Sequence, residues 1–180
     1  MNSRTESLTL LNNYIEGESL KLHCNMVAQA IEAYAISLGK DAATIDLWWT
    51  AGLLHDLDWE KYPNEHPNKA VNEILPALNY PGSILQAIKA HAPERTGVQP
   101  EAELDRYLFA CDELSGFIHA VSLMRPQGYD GMSVKSVNKK LKTLKFAENV
   151  PREDIRKGAE LIGKELNEHI QFLIDVFSDS

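Results

Sequence analysis

The chain has 180 residues, of which 44% are hydrophobic and 24% charged, and its formal net charge is −8. This length suits one domain, and these proportions are typical of a soluble globular protein rather than a disordered or fibrous one. The negative charge gives no source for the positive field that non-specific nucleic-acid binding needs, so we expect no nucleic-acid partner.

Cysteine usage and hydropathy indicate the compartment. Only Cys24 and Cys111 occur, far apart and without a C-x-x-C partner, which favours a reduced environment. Nothing at the amino terminus resembles a secretion signal, and charges interrupt every apolar stretch before it reaches the roughly 18 residues of a membrane span. We therefore expect a cytoplasmic protein with no membrane partner.

The first third of the chain contains three segments with helical periodicity. Residues 4–15 form the first, and the second places His23 on an apolar face that runs to Tyr34 before Gly39 ends it. Residues 46–57 form the third, which ends near His55 and Asp56. His23 is thus predicted to point toward the core.

The remaining segments also have helical patterns. A polar stretch over 58–66 leads to a helix that begins at Pro67, and a short helix over 84–90 ends beside His91. The longest periodic segment, 101–124, carries Asp112 on its inward side.

The end of the chain is helical too. Ser133 is placed to cap a lysine-rich helix, and residues 152–177 read as one long amphipathic helix. No useful β-alternation occurs. The prediction is an all-α, single-domain bundle of roughly seven or eight helices over residues 1–180.

The residues with the clearest chemical meaning are His55 and Asp56, which end an otherwise apolar helix. Burying an imidazole beside a carboxylate is costly unless each has a partner, and a metal ion would supply one. Adjacent helical residues point about 100° apart, so both converge on one ion only near a helix end. Asp112 and His23 are predicted to face inward on two other helices, where they too would need a partner. For His23 taken alone, a hydrogen-bonded core histidine is an equally good explanation.

The arrangement Leu22-His23, then Ala51-Gly52-Leu53-Leu54-His55-Asp56, then Asp112 resembles the H…HD…D signature of the HD-domain superfamily. The resemblance covers about residues 20–125. Weaker motifs, including Val134-Lys135-Ser136-Val137, extend the similarity to compact bacterial HD proteins over nearly the whole chain. It implies an all-helical motif core over 20–125, with C-terminal helices over 133–177 packing on it.

The resemblance also implies a ligand set and a reaction. His23, His55, Asp56 and Asp112 match the family's metal-binding residues, and a divalent metal would activate a water for attack on phosphorus. Imidazole and carboxylate ligands suit Mn²⁺, Fe²⁺, Co²⁺, Ni²⁺ or Zn²⁺. A subset of HD proteins adds two histidines that hold a second ion bridged by the aspartate of the HD pair, and here His66 and His91 occur in that order. We expect one or two ions per chain.

Other polar residues are candidates for catalysis and substrate binding. Beside Asp56, the carboxylates of Asp58 and Glu60 could orient the attacking water or move a proton, although solvated loop residues explain them as well. Basic side chains could hold substrate phosphate, although an exposed charge is the plainer explanation of any single lysine. These basic candidates are Lys89, Arg95, Arg125, Lys135 and Lys139.

The expected function is that of a metal-dependent phosphohydrolase acting on a small phosphorylated metabolite or nucleotide. Two alternatives stay open. The dinuclear ligand set also resembles that of di-iron HD oxygenases, and some HD modules bind or sense a ligand without catalysis. The non-catalytic alternative is the weakest, because such modules can dispense with the metal ligands and this chain carries residues at every ligand position.

Overall fold

The computed structural model describes residues 2–179. Within that range the protein consists of ten α-helices and one π-helix joined by turns, with no β-strand. The all-α prediction is therefore confirmed, and the number of helices is larger than expected.

The longest connections between helices lie between α3 and the π-helix, between α7 and α8, and between α8 and α9. They are α1 (Arg4–Tyr14), α2 (Glu18–Ser37), α3 (Ala42–Leu54), the π-helix (Ala70–Ile74), α4 (Leu75–Ala77), α5 (Gly82–His91), α6 (Pro93–Thr96), α7 (Glu103–Leu123), α8 (Val134–Leu141), α9 (Arg152–Leu161) and α10 (Leu166–Ser178).

The chain divides into two compact units, Met1–Phe109 and Ala110–Ser180. Helix α7 contributes residues to both. The single domain over 1–180, with residues 133–177 packing on the motif core, stays a prediction.

Close packing of α2 against α3 organises the first unit. A Cβ atom at Gly52 would lie 2.8 Å from Cα of Ala28 and 2.9 Å from Cδ1 of Ile31, so only glycine allows the two helices to approach this closely. Leu53 and Leu54 are fully buried beside it. Asp41 is the N-cap residue of α3, and its side chain accepts a hydrogen bond from the amide of Thr44.

The segment after Pro67 differs from the regular α-helix predicted there. Residues Ala70–Ile74 form a π-helix, in which the amide of Leu75 bonds to the carbonyl of Ala70. The Ala70 amide donates to the carboxylate of Asp58 instead of continuing an α-helical ladder. The π-helix therefore begins at a residue whose amide is bound by a side chain, a contact that helical periodicity does not reveal. Short π-helical segments frequently occur at functional sites.

In the second unit, the prediction of one helix over 152–177 is wrong. Helix α9 ends at Leu161, and α10 begins at Leu166. Between them Gly163 has φ of +67°, a left-handed conformation that ends helices and that glycine adopts without steric cost. The cap predicted at Ser133 is confirmed, because its hydroxyl accepts a hydrogen bond from the Ser136 amide.

His169 belongs to the core of the second unit. Its ring is fully buried, and Nε2 donates to the carbonyl of Ala110 at 2.9 Å. Burial lowers the pKa of His169 to about 4, although the bond to Ala110 opposes the shift. The folded protein therefore holds this ring neutral.

None of the helices between residues 2 and 179 has both the length and the apolar character that crossing a membrane would require.

Gly52→Ala tests the α2–α3 contact. Alanine in a helix usually stabilises relative to glycine by about 1 kcal/mol, but here the added methyl would press on the Ala28 backbone. We expect a lower free energy of unfolding in urea, by about 1–3 kcal/mol as for overpacked cores. Gly82→Ala is the control, because no atom lies within 4 Å of the position that its methyl would take and its unfolding free energy should not fall. Equal behaviour of the two variants would contradict the account of Gly52.

The buried His169 predicts a loss of stability in acid. Its pKa is lowered from 6.5 to about 4, so the unfolded chain binds the proton more readily. Stability is fully present above pH 6.5 and falls as the pH drops toward 4, with about 2 kcal/mol lost at pH 4.5. Urea unfolding of the wild type and of His169→Gln at pH 7.5 and pH 4.5 measures this. The variant should lose less stability between the two pH values, and an identical loss would contradict the assignment.

Candidate metal centre

The centre is built around Asp56, which lies where α3 ends. His55 is the C-cap residue of that helix, so the chain turns away at the next residue and both side chains can face the same space. This agrees with the prediction that the pair converges only at a helix end. His23 comes from α2, His91 from the last turn of α5, and His66 from the turns between α3 and the π-helix. All five residues belong to the first unit.

The two carboxylate oxygens of Asp56 face different pairs of histidines. Oδ2 lies 3.4 Å from Nε2 of His55 and 3.8 Å from Nε2 of His23. Oδ1 lies 3.5 Å from Nε2 of His66 and 3.8 Å from Nε2 of His91. The carboxylate thus stands between two imidazole pairs and offers one oxygen to each.

Hydrogen bonds from Nδ1 of His55 and of His91 determine whether Nε2 of each ring carries a proton or a lone pair. Nδ1 of His55 donates to the carbonyl of Gly52 at 2.7 Å, and Nδ1 of His91 donates to the carbonyl of Ile88 at 2.5 Å. A carbonyl only accepts, so in the neutral ring the proton is on Nδ1 and Nε2 carries a lone pair. Two of the four rings therefore direct lone pairs toward Asp56.

The first pair is close enough to share an ion. Nε2 of His23 and Nε2 of His55 are 3.2 Å apart, and the rings meet edge to face with centroids 5.1 Å apart. Since His55 presents a lone pair there, His23 can donate a hydrogen bond to it, or both nitrogens could coordinate one cation. On the other side, ligand atoms of Asp56, His66 and His91 all lie within 4.8 Å of one another.

Burial differs around the centre. The side chains of His55, His66 and His91 are 0–4% exposed, whereas Asp56 is 16% and His23 is 22% exposed. The solvent-accessible part of this centre is therefore the side of His23 and Asp56.

The donor set fits a divalent transition metal. Four imidazoles around one carboxylate are ligands that zinc, manganese, iron, cobalt and nickel accept, and at least two of the rings are held with their lone pairs inward. Ligand histidines typically give their other N–H to a carbonyl or carboxylate, as they do here. The arrangement could hold one ion near His23 and His55, and another near His66 and His91.

Asp112 lies in α7 and belongs to the second unit. Its role as a ligand stays a prediction. Burial raises the pKa of the adjacent Cys111 thiol well above its usual value, and the charge of Asp112 acts in the same direction. Cys111 is thus a buried thiol, as expected of a small core residue.

The two candidate catalytic carboxylates, Asp58 and Glu60, differ in burial and in their partners. Asp58 is fully buried and contacts Nδ1 of His66, the ring edge opposite to the one that faces Asp56. Glu60 is exposed and accepts hydrogen bonds from the amides of Glu16 and Gly17, each at 3.0 Å, which lowers the pKa of Glu60. Asp58 therefore contacts the edge of His66 that faces away from Asp56. Glu60 accepts hydrogen bonds from the main chain just before α2 begins. The catalytic roles expected of Asp58 and Glu60 stay predictions.

The predicted substrate residues belong to both units, with Lys89 and Arg95 in the first and the other three in the second. Arg95 donates from Nη1 to the carbonyls of Pro63 and His66, so it is anchored to the turns that carry a candidate ligand. Arg125 donates to the carbonyls of Gly128 and Asp130 and thereby closes its own loop, a structural role that was not expected. Lys89 is half-buried on α5, and Lys135 and Lys139 are exposed on α8.

Sequence reasoning missed the groups that hold the rings in place. The carbonyls of Gly52 and Ile88 each precede their histidine by three residues at the end of a helix, which is a detectable signal. Trp59 packs edge to face on His66, with centroids 4.9 Å apart, and only its nearness to the HD pair hinted at this.

The family follows from a comparison with family models. The HD domain model matches residues 22–116, more than half of the chain, and this stretch contains all six candidate ligands. The chain belongs to the HD domain family. Its HD pair is His55 and Asp56, and membership places it in a superfamily of metal-dependent phosphohydrolases. No curated protein and no solved structure matches the chain.

His91→Ala tests whether the two histidine pairs hold separate ions. If each oxygen of Asp56 serves its own ion, the wild type should bind about two Mn²⁺ ions per chain and the variant about one. Elemental analysis after anaerobic loading and desalting measures the ratio. His119→Ala, which changes a histidine in the second unit that bonds to Tyr129, should keep the wild-type metal content. A wild type that saturates at one ion would contradict the dinuclear arrangement.

Proposed function

We propose that this HD domain protein is a metal-dependent phosphohydrolase that acts on a small phosphorylated metabolite or a nucleotide. The observation that supports it best is the position of Asp56 between two pairs of histidine nitrogens, in a chain that belongs to the HD family. The arrangement of these residues supports the type of reaction more strongly than it supports any particular substrate.

The proposed ligands form two groups that share Asp56. His23, His55 and Oδ2 of Asp56 would hold one ion together with Asp112, which the HD signature adds to the set. His66, His91 and Oδ1 of Asp56 would hold the second. A bound divalent ion would lower the pKa of a coordinated water from about 15.7 toward 7 and would screen the charge of a phosphate.

The protein's own residues orient these ligands and restrict water. The Gly52 and Ile88 carbonyls hold two rings with their lone pairs inward, so little reorganisation is needed when an ion and a substrate bind. Three of the four rings are nearly inaccessible to solvent, which leaves the side of Asp56 and His23 as the approach for a phosphate ester.

Arg95 is the proposed residue for substrate phosphate that has the best structural support. Its side chain is 35% exposed, and Nη1 donates to the carbonyls of Pro63 and His66. A guanidinium has five N–H donors, so other donors of Arg95 can reach a phosphate oxygen. The proposed contributions of Lys89, Arg125, Lys135 and Lys139 rest on the sequence alone.

One observation also favours a second candidate. Two histidine pairs on opposite oxygens of one carboxylate would accommodate two irons as readily as two manganese ions, and a di-iron HD oxygenase uses such a set. Product formation that requires Fe²⁺ and O₂, without release of phosphate, would support this candidate over the hydrolase.

Asp56→Asn tests the proposed function. The amide is nearly the same size but lacks the charge that two ions would share, so it should bind neither ion tightly. We expect the metal content to fall close to zero and phosphate release to fall by about 1,000-fold or more, the effect of several kcal/mol at the transition state. Phosphate release is measured over a panel of nucleotides and sugar phosphates with Mn²⁺, Fe²⁺, Co²⁺, Ni²⁺ or Zn²⁺.

Two controls accompany this variant. Circular dichroism should show unchanged helical content, because Asp56 lies beyond the end of α3. Asp46→Asn removes a carboxylate that lies within α3 and pairs with Arg4. This variant should keep the wild-type metal content and activity. An Asp56→Asn enzyme with wild-type activity would refute the proposal.

A further inference from the structure

Asp58 is a buried acidic side chain beside the candidate metal centre, and the proposed reaction does not explain its contacts. It is fully inaccessible to solvent. Oδ1 accepts a hydrogen bond from Nδ1 of His66 at 2.7 Å, and Oδ2 accepts one from the amide of Ala70 at 2.7 Å. Both oxygens are thus engaged by donors, and neither faces the side of His66 on which Asp56 lies.

We propose that Asp58 is a positioning residue for the metal centre, which holds His66 in the tautomer whose Nε2 presents a lone pair toward Asp56. This inference rests on the proposed function, because that lone pair matters when an ion lies between His66 and Asp56. Asp58 itself neither binds the ion nor contacts substrate.

The hydrogen bond from the Ala70 amide to Asp58 determines which tautomer of His66 fits the site. A backbone N–H only donates, so Oδ2 of Asp58 must accept from it, and a carboxylate offers Oδ1 as a second acceptor. Nδ1 of His66 must then donate, which leaves Nε2 with the lone pair. A carboxylate buried behind a histidine in this way also fixes the direction of the ring.

Neighbouring groups restrict the same ring further. Trp59 packs edge to face on His66 at an interplanar angle of 86°, and Arg95 lies over the face of Trp59. Arg95 also donates to the carbonyl of His66 at 3.3 Å. The ring is therefore held at its edge by Asp58, on its side by Trp59 and through its main chain by Arg95.

An asparagine in place of Asp58 would reverse the hydrogen bond to His66. Its only acceptor oxygen would be taken by the Ala70 amide, so its NH₂ group would face Nδ1. Nδ1 would then have to accept, and the ring proton would move to Nε2. That tautomer directs an N–H toward Asp56 and cannot bind a cation.

The first test is the tautomer itself. Long-range ¹H–¹⁵N NMR spectra of the full-length, metal-free protein distinguish the two neutral forms of His66, once its signals are assigned with a His66→Gln variant. We expect the Nδ1–H form in the wild type and the Nε2–H form in Asp58→Asn. A wild-type ring in the Nε2–H form would overturn the proposal, whether or not the variant folds.

The second test is metal affinity, with Mn²⁺ as the probe. Loss of an outer partner of a metal-binding histidine typically weakens binding by about 10–100-fold. We expect Asp58→Asn to weaken binding of one Mn²⁺ ion by that factor while the ion near His23 and His55 is retained. Wild-type affinity for every ion in this variant would overturn the proposal.

Asp105→Asn is the matched control. Asp105 is also a buried carboxylate of the first unit that accepts a hydrogen bond from a backbone amide, that of Ala102. This variant should keep the His66 tautomer and the Mn²⁺ affinity of the wild type, although it changes the same chemical group. Equal weakening of Mn²⁺ binding in both variants would overturn the specific role of Asp58.

The two readouts separate this inference from the proposed function. If the wild type binds no Mn²⁺ and releases no phosphate from any substrate, the proposed function fails. The tautomer measurement still decides whether Asp58 controls His66, because it is made without metal. If the wild type binds Mn²⁺ but Asp58→Asn binds it equally well, only the present inference fails.

Discussion

The convergence of imidazole lone pairs on one carboxylate is the constraint on which the rest of the site depends. His55 and His91 give their Nδ1 protons to main-chain carbonyls, so their Nε2 atoms carry lone pairs toward Asp56. Electron-rich atoms gathered around an anion in a largely buried space repel one another unless a proton or a cation lies among them. HD domains bind divalent metals, and a divalent ion at this position would offset the repulsion.

The local structure around Asp56 serves that convergence. Gly52 lets α3 approach α2 closely, and its carbonyl accepts a hydrogen bond from His55. One residue therefore determines both the packing of the two helices and the orientation of the His55 ring. Farther along, Asp58 connects His66 to the first residue of the π-helix. The irregular backbone after α3 is thus tied to the metal centre by the same hydrogen bonds that orient a ligand.

The sequence was sufficient to predict most of the longer helices and to locate the HD pair, because apolar periodicity and the end of α3 are local features. It did not predict the π-helix or the role of Asp58, since both depend on contacts across 8 and 12 residues of irregular chain. Gly163 was visible in the sequence, but a glycine within an amphipathic pattern does not reveal its left-handed conformation. The contacts of Glu60 were also not predicted, because its partners, the amides of Glu16 and Gly17, lie more than 40 residues away.

The most direct measurement of the central claim is a crystal structure of the wild-type protein grown with Mn²⁺, with diffraction recorded at the manganese absorption edge. The account predicts anomalous peaks on both sides of the Asp56 carboxylate, about 3.5–4 Å apart as in two-metal sites. One peak should lie within bonding distance of His23 and His55, and the other within bonding distance of His66 and His91. A structure with full Mn²⁺ occupancy elsewhere and no peak bonded to Asp56 would contradict it.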